Sequence, residues 1–171
     1  MMQSRFLEVL MRLPLWSGTS TPPLLLSIVR LCLIPTCRWR SGWVRIYRGE
    51  PEVAIEQFAR AMRLSPLDPQ IIAMQAGTAF AHLLAGRFDE ASSWSERAMW
   101  ERTNYMTPLR IAAASNALAG RLPEAKRAMT SLRNLDPTMR INNVKDWAPL
   151  RRPEDLARLE EGLRKAGLPE T

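Results

Sequence analysis

Few side chains in this sequence have the type and spacing that chemistry demands. His82 is the sole histidine, and acid–base work by an imidazole needs a nucleophile or carboxylate held beside it. It lies one turn before Gly86, in a slot that packs against a neighbouring helix, so a packed histidine is the expectation. Cys32 and Cys37 are the two cysteines; without histidine partners they make no tetrahedral zinc site, and two cannot build a disulfide framework. They read as reduced thiols, which suits a cytoplasmic protein. Asp89-Glu90 and Glu160-Glu161 are adjacent acids on solvated helix faces rather than a spaced acid and base. No glycine-rich phosphate loop or nucleophile elbow occurs. The expectation is a chain that is not an enzyme, with no catalytic, cofactor-binding or metal-ligating residue and no cofactor.

The net charge of +7 and pI near 10.4 suggest an anionic partner until the chain is divided. Residues 1–48 hold seven arginines (Arg5, Arg12, Arg30, Arg38, Arg40, Arg45, Arg48) against Glu8, a net +6; the remainder has 17 basic and 16 acidic residues, a net +1. A nucleic-acid binder carries its basic face on the folded domain, so nucleic acid is not the expected partner. Nor is a membrane. The apolar run Leu24–Ile34 is broken by Arg30 and preceded by Pro22 and Pro23, and it is shorter than the roughly 20 residues a span needs. Trp16, Trp39 and scattered arginines would suit an interfacial anchor, yet no helical stripe organises them. A free-standing DNA- or membrane-associated protein using this basic arm is the alternative reading.

The elements that would position any site are legible as an internal repeat. Gly49-Glu50-Pro51-Glu52-Val53-Ala54, Gly86-Arg87-Phe88-Asp89-Glu90-Ala91 and Gly120-Arg121-Leu122-Pro123-Glu124-Ala125 align, with glycines 37 and 34 residues apart. Four residues after the alanine come Phe58, Ser95 and Met129; three further on come Ala61, Ala98 and Leu132. Gly42, Ala79 and Ala113 precede the glycine by seven, and Pro66, Thr103 and Pro137 close the units. The glycine supplies the left-handed residue that ends a first helix. The alanine sits where two helices cross closely, and the proline stops the second helix by withholding an N–H. Helices are expected near 51–64, 70–84, 88–101, 107–119, 122–134 and 154–165, the last opened by Glu154 and Asp155 after Pro153 and closed by Gly167.

These slots resemble the tetratricopeptide repeat family over about 95 residues. Two positions depart from it: Thr103 replaces the closing proline, and Ser95 the bulky residue, leaving space that Trp94 or Trp100 would fill. The resemblance implies an all-α fold, a solenoid of antiparallel helical hairpins with a C-terminal capping helix. The expected organisation is an irregular leader over 1–40, repeats over 41–66, 70–103 and 107–137, a linker over 138–152, and a cap with tail over 153–171. Its working surface would be the concave face, made of Ala73, Ala76, Phe80 and Leu83 from one hairpin and Thr107, Arg110, Ala114 and Ala117 from the next. Arg110 would be the main polar anchor for a protein or peptide partner. The equally weighted plainer reading is that the C-terminal helix, or a missing neighbouring repeat, simply buries much of this face.

The wording of Gly42–Glu50, Arg63–Pro69, Ala76–Ala81, Arg110–Arg121, Leu150–Leu156 and Gly162–Glu170 is also similar to the C-terminal repeat region of bacterial, especially rhizobial, class III adenylate/guanylate cyclases. That likeness implies a regulatory or interaction segment and transfers no catalytic residue, since the cyclase domain has no counterpart here. The same repeats also follow winged-helix regulators. Upstream, the first helix of the first hairpin should occupy 35–48, but Pro35 and Thr36 interrupt it and residues 1–40 show no period. The leader therefore reads as foreign to the repeats, as a truncated or misassigned start would make it, with an authentic disordered or membrane-touching leader as the alternative. With that helix damaged, an exposed apolar edge is expected around Ile55, Phe58 and Met62, and self-association through it.

Overall fold

The computed structural model describes residues 35–102 and 104–171. The leader up to residue 34 and the closing slot at Thr103 lie outside the described residues. Among the described residues eight α-helices follow one another: α1 Pro35–Arg48, α2 Pro51–Leu64, α3 Ile71–Leu84, α4 Phe88–Glu101, α5 Met106–Leu118, α6 Leu122–Leu135, a 3-10 turn Ile141–Asn143, α7 Val144–Trp147 and α8 Pro153–Lys165. Among the described residues there is no strand, so the fold is all-α.

Local chemistry sets the boundaries. Pro35 opens α1 and does not break it, because a proline in the first helical position gives up an N–H that has no intrahelical partner there. The expected interruption is thus a helix start, and α1 is whole. Gly86 and Gly120 have φ of +79° and +81°, with open space where a Cβ would lie. Conformation alone requires glycine at both places. Each closes the same pair of bonds: Gly86 N–H donates to Leu83 O and Arg87 N–H to His82 O, at 3.1 and 2.9 Å. At the next turn Gly120 N–H donates to Ala117 O and Arg121 N–H to Asn116 O, at 3.2 and 2.8 Å.

Each helix from α1 to α6 packs on the next, and α1, α3 and α5 also touch in order. The even helices bury one stripe each, at matched positions: Ala54, Phe58 and Ala61; Ala91, Ser95 and Ala98; Ala125, Met129 and Leu132. The odd helices α3 and α5 are buried nearly all round, over 74–81 and 108–117. A helix covered on every side needs a layer on its second face. α8 provides it, packing on α5 and α3.

Three expectations are corrected by this packing. Phe58 is fully buried, so no apolar edge opens there, and Ile55 and Met62 are half-buried against the core. The reason is α1: Trp43 meets the Phe58 ring edge-on at 6.1 Å. Gly42 and Gly77 also approach that ring so closely that an added Cβ would lie 2.6 and 2.4 Å from it. The stretch 138–152 is not a linker, since Met139, Ile141, Val144 and Ala148 are buried in the core. Trp100 does not fill the space beside Ser95, being 89% exposed; Ser95 is buried and donates its hydroxyl to Ala91 O at 2.7 Å.

Candidate functional site

The eight residues expected to line the concave face all lie on the odd helices α3 and α5. Ala76, Phe80, Leu83, Ala114 and Ala117 are buried, Ala73 and Thr107 are half-buried, and Arg110 is only 8% exposed. An open groove is therefore not what these residues form. Trp43 of α1 covers Phe80, with ring centroids 6.2 Å apart. Gly162 of α8 covers Ala114, and Trp147 covers Arg110.

Gly162 explains how a helix fits there. A Cβ on it would lie 2.8 Å from both the Cβ and the carbonyl oxygen of Ala114. Two helices meet backbone to backbone because both positions lack bulk. Leu159 and Leu163 flank the contact and are fully buried, each worth about 1.5–3 kcal/mol relative to exposure.

Polar anchors run along the whole row. Tyr47 O accepts Arg151 N–H at 3.0 Å and Gly49 O accepts from Arg152 Nη1 at 3.1 Å, both at the end of α1. Arg158 Nη1 donates to Leu84 O at the end of α3. At the far end, Ile141 N–H donates to Pro169 O at 3.0 Å, so the 3-10 turn and the C-terminal tail hold each other.

Arg110, the expected anchor for a partner, is already engaged. Its Cζ lies 4.3 Å from the centroid of the Trp147 ring, and Nη2 lies 3.7 Å from Asp136 Oδ2. Burial pulls its pKa down, and Asp136 opposes that. Asp155, buried at the start of α8, is held above the usual carboxylate range by desolvation, against the pull of Arg152 and Arg158. Arg110 Nε, Trp147 Nε1 and Asp155 Oδ2 are buried without a hydrogen-bond partner among the described residues. Each such atom costs about 1–3 kcal/mol.

His82 is half-buried at the glycine turn, with Nδ1 accepting from Arg87 Nε at 2.9 Å. Arg87 also grips Glu52 with two bonds of 2.8 and 3.0 Å. The next turn repeats the arrangement: Arg121 Nε donates to Asn116 Oδ1 at 2.7 Å, and Nη1 to Asp89. Arginine one residue after the glycine thus reaches back five residues and across to an acid three residues after the preceding glycine. Sequence reading passed over this clasp, although Gly-Arg in both turns was its signal. Trp147, Arg158 and Gly162 are not singled out by the sequence; a glycine inside a helical stretch is the readable sign for the last.

Among the described residues no group of three or more histidines, cysteines or acids could hold a metal, and no helix is long and apolar enough to cross a membrane. No known family model matches the chain, and no curated protein matches it.

Proposed function

We propose that this chain is a non-catalytic interaction or regulatory module of tetratricopeptide type, a solenoid of helical hairpins working as part of a signalling protein in the cytoplasm. The observation that carries the reading is the register shared by three turns and three outer stripes: 49, 86 and 120 for glycine, 54, 91 and 125 for alanine. Repetition at that register builds an extended surface from equivalent units, which is what such arrays offer to proteins and peptides. The likeness in wording to the repeat region behind class III nucleotide cyclases favours attachment to a signalling domain. In this reading the C-terminal segment occupies the inner face in cis, and its unsatisfied polar atoms lower the cost of exchanging it for a partner's segment.

Affinity capture with the whole chain tests the proposal, using Phe58→Asp as the unfolded control. Saturable, stoichiometric retention of a protein by the native chain and not by the control is the expected result. Identical retention by both, or reproducible turnover of ATP or GTP with metal, would overturn it.

A further inference from the structure

The C-terminal segment from Arg151 to Thr171 meets the array at points spread along the inner face. Arg151 N–H and Arg152 Nη1 donate to the carbonyls of Tyr47 and Gly49 at the end of α1, and Arg158 Nη1 to that of Leu84 at the end of α3. Gly162 crosses the Ala114 backbone, with Leu159 and Leu163 fully buried beside it. Beyond the helix, Pro169 O and Glu170 O accept from the N–H groups of Ile141 and Asn142 at 3.0 and 3.3 Å. Arg140 Nε donates to Thr171 O at 3.2 Å. Each of these partners lies at or before residue 142, so the segment is a ligand of the array, joined to it by a covalent tether.

That tether is disposed to extend. Pro149 lies between α7 and α8, and Pro153 opens α8. A proline pushes the residue before it away from the helical region: Ala148 has φ −124° and ψ 76°, and Arg152 φ −89° and ψ 121°. Leu150 N–H donates to Ala148 O at 2.7 Å and bends the chain back at Pro149. Straightening this turn carries the segment away with its helix intact. What the face accepts is defined by α8 itself: no side chain at the Ala114 crossing, leucines three before and one after it, and arginines placed for the Gly49 and Leu84 carbonyls. A foreign helix must reproduce this set, and a second copy of the chain carries it already.

We propose that two copies of this chain exchange residues 151–171 about a hinge at Pro149, each α8 seating on the other copy's α5 in a two-fold dimer. Exchange of an identical element repeats the contacts of the closed chain. Association costs freedom, so the closed monomer prevails when dilute and the exchanged dimer when the chain folds at high concentration. A closed chain must first expose Leu159 and Leu163 to open, so the two forms interconvert slowly. The proposal rests on the reading of the inner face as exchangeable and names its occupant. If the chain dimerises by exchange and captures no other protein, the functional reading fails alone. If it captures a protein and stays monomeric, the exchange fails alone.

Complementation between whole chains is the test. Ala114→Leu blocks the face and leaves a native α8, whereas Gly162→Leu spoils α8 and leaves a native face. By light scattering on size-exclusion peaks, each variant alone should run as a monomer and their equimolar mixture as a dimer. Association in the mixture should exceed that of either variant by about tenfold or more, because only the mixture escapes the overpacking. Ala114→Leu/Gly162→Leu mixed with Gly162→Leu offers no native α8 and should stay monomeric. Should Ala114→Leu fail to fold by circular dichroism, the native chain decides. Refolded from urea, it should give a dimer fraction that rises with concentration and persists on dilution, and Gly162→Leu should abolish that dimer. No complex between two folded variants, an equal complex with the double variant, or a native chain that refolds only to monomer would overturn the proposal.

Discussion

The Arg110 guanidinium lies over the Trp147 indole at 4.3 Å, so a charge carried by α5 is covered by an aromatic face from the C-terminal segment. Arg110 is buried and Trp147 half-buried, and Asp136 at 3.7 Å gives only a long ion pair. Cation–π attraction of about 2 kcal/mol in a desolvated setting is set against the cost of burying the charge. Trp147→Ala removes the attraction and leaves the charge buried, and a loss of about 2–4 kcal/mol is expected. Arg110→Met keeps the volume and deletes the buried charge, so it should change stability by no more than about 1 kcal/mol. Urea denaturation of both variants checks the asymmetry; equal losses would mean that the stack is incidental.

Phe58 is held between two glycines, and the geometry predicts non-additive mutations. Phe58→Ala should cost about 3–5 kcal/mol through the cavity it opens. Gly77→Ala, whose Cβ would sit 2.4 Å from the ring, should cost about 1–3 kcal/mol by overpacking. Joined with Phe58→Leu, the same Gly77→Ala should cost distinctly less. A denaturant double-mutant cycle that came out additive would contradict this contact.

Stability should respond to pH through His82. Burial lowers its pKa from 6.5, with Arg87 acting in the same direction and Glu90 and Glu52 opposing. Neutral Nδ1 is the acceptor for Arg87. Below pH 6.5 the unfolded chain gains a proton that the folded chain refuses, so stability should fall as pH drops from 6.5 towards the folded value and level off beneath it. His82→Asn should flatten that limb. As the sole histidine, its imidazole resonance is directly assignable; a titration midpoint at or above 6.5 would reverse the expected sign.

The Arg87–Glu52 clasp is exposed on the carboxylate side, and its coupling should be small. A double-mutant cycle should return about 0.2–1 kcal/mol at low salt and less at high salt. Glu52 is held below its ordinary pKa first by the Arg87 hydrogen bond, so its contribution is present above pH 4.5 and is lost as pH falls through the lowered value. That window opens below pH 4.5 and the histidine limb opens below 6.5, so an acid unfolding curve should show the histidine limb first.

Spacing carried much of the fold because its reasons are local. Gly86 and Gly120 are required by backbone conformation, and the stripes at Ala54, Ala91 and Ala125 follow helical period. Pro35 misled because a proline reads as a breaker until its position in the turn is known. The eight residues expected to line a concave face fall on α3 and α5, yet their exposure depends on what sits across from them. Nothing near Arg110 in sequence signals Trp147, 37 positions away. The linker expectation for 138–152 failed similarly: Met139, Ile141, Val144 and Ala148 are too irregularly placed for one helix, and only tertiary contact makes them core.

Hydrogen exchange on the whole chain, native against Gly162→Leu, tests most directly whether the C-terminal segment occupies the inner face of the array. Leucine cannot fit where a Cβ already meets the Ala114 backbone at 2.8 Å. Faster exchange in α8 and in the facing α5, with the α2 and α4 amides unchanged, is the predicted result. Unaltered exchange in α8 and α5 would contradict the account, because the segment would not be seated on Ala114.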